Sequence, residues 1–320
     1  MSETQKNYDV VIVGGGPAGL SAALVLARAR RKVAVVRGGP ARNAPSRHMH
    51  GFLTRDGMAP SELIETGVAE AASVGAELVD DFVAEVENHG DTADFTVRLT
   101  GGPRLRTRKL LVTTGLRDEL PELPGVREQW GTDVLGCPYC DGYEVRDQPI
   151  AVLGGSEPGA LARAVHLALM LPQWSRDLTF FPHTMTLSDA DRARLDARGV
   201  RVVDGEVARL AVTDGRVRGV ELVDGSAVAR TAVFVATTFI PNNRVLADLR
   251  CELDDGGWVR VDAFGRTSVD GVWAAGNVTN PAANVIASTA AGSGAAMMIN
   301  ADLVEAEVAS AVEAAAVGAR

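Results

Sequence analysis

Cysteine is scarce in this chain: only three occur in 320 residues. A disulfide-scaffolded secreted domain uses more. Any close pair here therefore reads as redox chemistry in a reducing compartment, and a cytoplasmic location is expected. Long apolar runs are missing as well; none reaches the roughly 18 residues that suggest a membrane span. The opening stretch, Met1 to Tyr8, is polar with no apolar core, which predicts no secretory leader. There is no long basic block, and 32 basic against 41 acidic residues leave a net charge of −9. Nucleic acid and anionic membrane surfaces are thereby excluded as general partners. Aromatic residues make up only 5% of the chain, so the shape of a substrate pocket is not legible from an aromatic pattern. The hydrophobic fraction of 46% is ordinary, and at this length it is enough for two domains with cores of their own.

Two short motifs stand out against this background. The first is Gly14-Gly15-Gly16-Pro17-Ala18-Gly19. Before it, Tyr8 to Val13 reads as a buried strand; after it come a helix over Pro17 to Ala29 and a strand over Lys32 to Val36. This strand–turn–helix–strand order is the setting in which a Gly-x-Gly-x-x-Gly pattern holds a dinucleotide. Gly14 permits the tight turn, Gly16 lets a pyrophosphate approach the backbone, and Gly19 lets the helix pack on the strand. The helix N-terminus supplies unpaired N–H groups for the phosphate. Arg37 ends the second strand, where many such folds place an acid for the ribose; it is either an adenosine contact or a solvated arginine. The second motif is Cys137-Pro138-Tyr139-Cys140-Asp141, a thiol pair spaced for redox work. Half of a zinc site is a poorer reading, because no second Cys/His pair is spaced to complete it. An inert buried pair is the other alternative. Cys251 stands alone and reads as a structural thiol.

The strand–turn–helix pattern then recurs. Gln148 to Leu153 reads as a strand, Gly154 to Gly159 as a turn, Ala160 to Met170 as a helix and Leu178 to Phe181 as a strand. Shorter β-rich stretches lie at Glu77 to Glu87, Asp94 to Leu99 and Leu105 to Thr113. Leu120 to Gly125 looks like a crossover linker and Phe239 to Asn243 like the return. Asn284 to Val312 reads as a helix of small residues. The expected fold is α/β, with two Rossmann-like dinucleotide-binding domains, the second inserted into the first. Residues 1–118 and 245–320 form the first domain and 119–244 the second, which carries the CxxC pair.

With these motifs in place, the chain resembles the low-molecular-weight thioredoxin reductase family over nearly its whole length. The residues that carry the resemblance are the Gly14–Gly19 loop, Thr113-Thr114-Gly115, Cys137 to Gly142, Pro241-Asn242 and Val272 to Val278. The resemblance implies FAD as cofactor, held at Gly14, Gly16, Pro17, Ala18, Gly19, Arg42, Asn43, Thr114, Gly115, Gly276, Asn277, Asn284 and Val285. Asn277 stands where the family usually has Asp; an amide still hydrogen-bonds a hydroxyl or a phosphate oxygen. The resemblance further implies that Cys140 is the thiol nearest the flavin, that Cys137 meets substrate, and that Asp141 handles the proton. It also implies a homodimer.

The second nucleotide loop departs from the family. It has Ser156 at the middle glycine and Pro158 inside the turn. The segment after the next strand, Phe181 to Asp189, contains no Arg or Lys for a 2′-phosphate, and Asp189 would repel one. A domain that has kept its fold but lost NADPH is expected. The chain then looks like the dithiol oxidases of disulfide-containing natural products, of the gliotoxin and holomycin type. The segment Arg42 to Phe52 replaces the family's usual flavin-flanking loop and adds His48 and His50, which are candidates for a substrate pocket. A His-x-His metal site lacks an obvious third ligand, so no metal is expected. The leading expectation is an FAD enzyme that oxidises a small-molecule dithiol to an intramolecular disulfide, with O2 as acceptor and H2O2 as product. An NADPH-dependent disulfide reductase is the alternative, and a redox-inert FAD-binding subunit is a third reading that the intact CxxC-Asp argues against.

Overall fold

The computed structural model describes residues 6–90, 94–155 and 158–318. The chain begins β1 (Lys6–Val13), α1 (Pro17–Arg28), β2 (Val33–Val36), α2 (Pro60–Ser73), β3 (Glu77–Val79), β4 (Val83–Asn88), β5 (Phe95–Leu99), β6 (Arg104–Val112) and β7 (Leu116–Glu119). It continues with α3 (Val126–Gln129), β8 (Val134–Leu135), α4 (Pro138–Asp141), β9 (Ile150–Leu153), α5 (Pro158–Met170), β10 (Leu178–Phe181), α6 (Asp189–Ala197) and β11 (Arg201–Val202). Then follow β12 (Val207–Thr213), β13 (Arg216–Leu222), β14 (Ala227–Ala229), β15 (Ala232–Val235), β16 (Thr238–Pro241), α7 (Arg244–Asp248), β17 (Val272–Ala274) and the long α8 (Val285–Gly318). No helix among the described residues is long and apolar enough to cross a membrane.

The chain divides into two compact units. The first comprises Met1–Arg42, Ser61–Arg117 and Pro241–Arg320. Its sheet has the order β3-β2-β1-β6-β5-β4, and β17 also pairs with β6. β6 is long enough to serve both neighbours: Arg104 to Thr107 pair antiparallel with β5, and Leu110 to Val112 pair parallel with β17. β1 reads as a near-continuous apolar run because both faces of the sheet are covered. Val10 and Ile12 pack with Ala22, Ala23 and Leu26 of α1 and with Ile299 and Leu303 of α8. Val11 and Val13 point the other way, with Phe95, Val97 and Leu246.

The second unit comprises Asn43–Pro60 and Asp118–Ile240. Its sheet runs β11-β10-β9-β15-β8, all parallel, and a three-stranded antiparallel sheet β12-β13-β14 belongs to the same unit. Ile150, Val152 and Phe180 face α5 at Ala164 and Ala168. Ala151, Leu153 and Phe181 face Leu210, Val217 and Val220 of the antiparallel sheet. β7 and β16 pair with each other where the chain crosses between the units.

The division departs from the expected one at the crossovers, where residue 118 falls in the second unit and residues 241–244 in the first, and more widely in one segment. Residues 43–60, expected in the first domain, belong with the second. The physical reason is close packing: the backbone of Pro45 lies so near Gly131 that a Cβ there would meet it at 2.6 Å. Among the elements with no expectation from the sequence are α2, α6, the central strand β15 and the β12-β13-β14 sheet.

Candidate active site

In open parallel sheets ligands gather at the carboxyl ends of the strands. In the first unit four such ends coincide with the sequence motifs: β1 runs into Gly14–Gly19, β2 into Arg37, β6 into Thr113–Gly115, and β17 into Gly276 and Asn277. The glycines of the first loop are used in different ways. Gly14 has φ +121°, and a Cβ there would lie 2.4 Å from the Thr113 carbonyl oxygen. A Cβ on Gly19 would lie 1.9 Å from the Gly14 carbonyl oxygen, so the helix can sit on the strand only without a side chain there. A Cβ on Gly16 would meet nothing within 4 Å. Gly16 is also the N-cap of α1, Pro17 is its first residue, and no side chain caps it. The open side of the loop therefore faces the unfilled N–H groups of a helix start, a cradle for an anionic group.

The neighbouring residues close around this loop. Gly276 lies against Ala18, whose Cβ would be 2.9 Å from a Cβ placed there. Asn277 adjoins Gly115, and its Oδ1 accepts a hydrogen bond from Arg42 Nη1 at 3.3 Å. Its Nδ2 donates to the carbonyls of Asn280 (3.0 Å) and Ala283 (2.8 Å). A carboxylate cannot donate, so the Asn at this position organises the turn that leads into α8. Asn284 caps that helix, accepting from the Ala287 N–H at 3.0 Å, and Val285 is its first residue. Thr114 is occupied otherwise: its hydroxyl donates to the Asn242 carbonyl at 2.6 Å, and Asn242 Nδ2 donates back to the Thr114 carbonyl at 3.0 Å. The Pro241-Asn242 motif thus fixes Thr114-Gly115. Arg37 packs its Cβ over Gly15 and pairs with Asp80. Asn43 opens a turn, accepting from the Ser46 N–H, and belongs to the second unit.

In the second unit β8 delivers Cys137 at its carboxyl end. Cys137 and Cys140 are joined as a disulfide, and both are half-buried. Cys137 is the N-cap of α4, and its Sγ accepts the Cys140 N–H at 3.2 Å. Pro138 at the first helical position loses nothing by having no N–H. Gly142 must be glycine: a Cβ would lie 2.4 Å from the Pro138 carbonyl oxygen and about 3.0 Å from the Trp174 ring. Tyr139 stands exposed between the cysteines, edge-on to Trp174 with ring centroids 5.8 Å apart. Burial, aided by the charge of Glu144 and opposed by His50, pushes the Asp141 carboxyl up to about 6.

The segment 43–60 brings His50 to this group. Its Nδ1 lies 3.2 Å from Asp56 Oδ2 and its Nε2 3.4 Å from Glu144 Oε1. His48 is exposed, with its ring centroid 6.4 Å from that of His50. No group of three metal-ligating side chains occurs among the described residues. Glu144 and Asp56 were not singled out by the sequence. The available signals were the position of Glu144 one helical turn after Cys140 and the Asp56-Gly57 turn that closes the histidine loop. Cys251 is buried, and its Sγ lies 3.6 Å from Thr267 Oγ1, in keeping with a structural thiol.

The second glycine turn is different. Ser156 and Glu157 lie outside the described residues, and Pro158 opens α5. A Cβ on Gly154 would lie 2.6 Å from the Pro182 carbonyl oxygen, and one on Gly155 would lie 2.1 Å from Ala160 Cβ. After β10, His183 takes φ +60° and its Nδ1 accepts the Val207 N–H at 3.0 Å. Burial holds its imidazole below the usual histidine range. Asp189 begins α6 behind a Ser188 N-cap.

A model of the pyridine nucleotide-disulphide oxidoreductase family matches residues 8–296. The thioredoxin reductase of Streptomyces coelicolor is 32% identical, with 92% of each chain covered. The thioredoxin reductase sirT of Leptosphaeria maculans is 29% identical, covering 92% of this chain and 93% of that one. Among solved structures, HlmI is 54% identical with a TM-score of 0.94, covering 98% of both chains. An oxidoreductase from Agrobacterium tumefaciens is 34% identical with a TM-score of 0.85, covering 93% of this chain and 99% of that one. The chain belongs to the pyridine nucleotide-disulphide oxidoreductase family, as a thioredoxin-reductase-like, FAD-binding flavoprotein.

Proposed function

We propose that this oxidoreductase oxidises a small-molecule dithiol to an intramolecular disulfide through Cys137 and Cys140, with O2 as final acceptor and H2O2 as product. The cradle at Gly16 fits FAD. Gly14, Gly16, Pro17, Ala18 and Gly19 would face its pyrophosphate, and Arg42, Asn43, Thr114, Gly115, Gly276, Asn277, Asn284 and Val285 would border it. Bound there, FAD would supply the two-electron redox chemistry that returns the reduced cysteines to the disulfide.

The protein's own residues carry the thiol exchange. Asp141 takes the proton of one substrate thiol. The resulting thiolate attacks Cys137 Sγ, the Cys137–Cys140 bond breaks, and its electron pair leaves on Cys140. The second substrate thiol, deprotonated in turn, attacks the substrate sulfur of the mixed disulfide. Cys137 leaves with its electron pair, stabilised by the Cys140 N–H that already points at its Sγ. Substrate loses two electrons and two protons; the cysteines gain the two electrons. His48 and His50 border the substrate side of this site.

The observation that carries the oxidase reading is at the carboxyl end of β10. Residues 181–188 include no Arg or Lys, and His183 is engaged as an acceptor from Val207, held toward its neutral form by burial. A 2′-phosphate finds no cation there, which supports a dithiol rather than NADPH as the source of electrons. The names of the thioredoxin reductase relatives favour the other reading, NADPH-dependent disulfide reduction. Oxygen uptake screened over a panel of dithiols, with H2O2 assayed, tests the proposal; uptake that requires NADPH overturns it. Cys137→Ser and Cys140→Ser each abolish turnover on this account. The family resemblance makes Cys140 the thiol nearest the flavin, so Cys137→Ser is expected to show a long-wavelength charge-transfer band that Cys140→Ser lacks. The reverse pattern would exchange the two roles. The active form is a homodimer in the cytoplasm; the exposed Val304, Val308 and Val312 at four-residue spacing on α8 support an association surface, and light scattering checks it.

A further inference from the structure

Dithiol oxidation releases two protons per substrate, yet Asp141 is one carboxyl. It must be unloaded between the first thiol and the second. The segment that the structure adds to the CxxC unit is built in a way that answers this need. Its ends are tied by main-chain bonds, Met49 N–H to the Met58 carbonyl and Gly57 N–H to the Met49 carbonyl, both 2.9 Å. Met49 is buried and anchors it. Asp56 ties the loop, with Oδ1 accepting the Gly51 N–H at 2.8 Å and Oδ2 facing His50 Nδ1 at 3.2 Å. Thr54, a β-branched residue, is held at φ +73° in the same loop, a conformation that persists only where the surroundings impose it. The His50 side chain is only 20% exposed, whereas Asp56 is 65% exposed. On the other side of the ring, Nε2 faces Glu144, three residues beyond Asp141.

We propose that His50 is a positioning residue that relays protons from Glu144, on the turn that also carries Asp141 and the disulfide, to Asp56 at the solvent edge of its loop. An imidazole with each nitrogen against a carboxylate can take a proton at Nε2 and release one at Nδ1, and the tautomer is restored by exchange at Asp56. The titratable groups around the ring are Asp56 on its own loop, Glu144 and Asp141 from the turn after β8, and His48 on the outer side. His48 is not part of the relay. The inference rests on the dithiol reading above.

The test uses the FAD-loaded enzyme under anaerobic conditions with dithiothreitol as the probe dithiol. Flavin bleaching is followed by stopped flow, and thiols on Cys137 and Cys140 are counted by alkylation after quenching. Wild-type enzyme is reduced. His50→Gln and Asp56→Asn slow thiol formation and bleaching by about tenfold or more, while FAD content stays the same. Asp56→Asn keeps an oxygen for the Gly51 N–H, so it separates proton transfer from loop folding. Added imidazole restores the rate of His50→Ala in proportion to its concentration and leaves wild type unchanged. Wild-type rates in both His50→Gln and Asp56→Asn overturn the relay, as does a slow His50→Ala that imidazole does not rescue. Wild-type enzyme that dithiothreitol does not reduce overturns the dithiol reading, and the relay with it.

Discussion

The two glycine turns of this molecule begin the same way and end differently. Each follows a buried central strand, β1 or β9, and each leads into a helix that packs on a parallel sheet. In the first unit the middle glycine looks out on open space at a bare helix start. The first two glycines of each turn pack alike, Gly14 and Gly15 against Thr113 and Arg37, Gly154 and Gly155 against Pro182 and Ala160; at the middle position the second turn has Ser156, which lies outside the described residues. The strand next to β1 ends on Arg37; the strand next to β9 ends on a histidine that is already an acceptor. The same backbone architecture therefore supports a cofactor loop in one unit and a scaffold for a redox disulfide in the other. What distinguishes them is the middle residue, Gly16 against Ser156, and the residue beyond the neighbouring strand, Arg37 against an engaged His183.

That contrast is broken most completely by paired substitutions. Gly16→Val adds its side chain to space that the protein leaves open, so the variant folds and loses FAD. Gly155→Val drives its Cβ into Ala160 and lowers the melting temperature, at a cost of about 1–3 kcal/mol or more, without touching the cofactor loop. Flavin-to-protein ratio and calorimetry read the two effects. A folded Gly16→Val protein with full flavin would remove the basis of the comparison.

Next in size is Asp141→Asn, expected to lower the rate of flavin reduction by dithiol by about 10²- to 10⁴-fold with FAD retained. On the proposed mechanism Asp141 works as the carboxylate, so the rate is expected to rise with pH through about 6 and to fall below it. Glu144→Gln removes a negative charge that raises the Asp141 pKa, and the inflection moves to lower pH. His50→Gln removes an opposing influence and moves it higher. Shifts of the same sign in both variants, or none, would show that this group is not the one titrating.

The smallest effect belongs to Asn277→Asp. The carboxylate keeps an acceptor for Arg42 but loses the donations to Asn280 and Ala283. About 1–2 kcal/mol of local stability goes with them, seen as weaker FAD retention on dilution. Unchanged retention would mean that the turn before α8 is held by other contacts.

Much of this was legible in the sequence because it is local. The apolar run of β1, the glycine spacing and the CxxC turn each announce themselves within a dozen residues. The pairing of Thr114 with Asn242, over 128 positions, was legible only as two separate motifs. The placement of residues 43–60 was not legible at all. The loop has no periodicity, and what assigns it is the contact of Pro45 with Gly131 and of His50 with Glu144, partners that no local pattern connects. Asp56 and Glu144 were invisible for the same reason: an exposed carboxylate acquires a role only from the side chain brought beside it. α2 was missed because its apolar positions are few and half-exposed, so its periodicity is weak.

On the proposed function, electrons enter from a dithiol at Cys137–Cys140 and not from a nicotinamide bound by the second unit. Anaerobic stopped-flow measurement of flavin absorbance, with NADPH in one syringe fill and dithiothreitol in the next, tests it directly. Fast bleaching with the dithiol and slow or no bleaching with NADPH is the expected result. Rapid bleaching at micromolar NADPH, with the dithiol inert, would contradict it and make this chain an ordinary disulfide reductase.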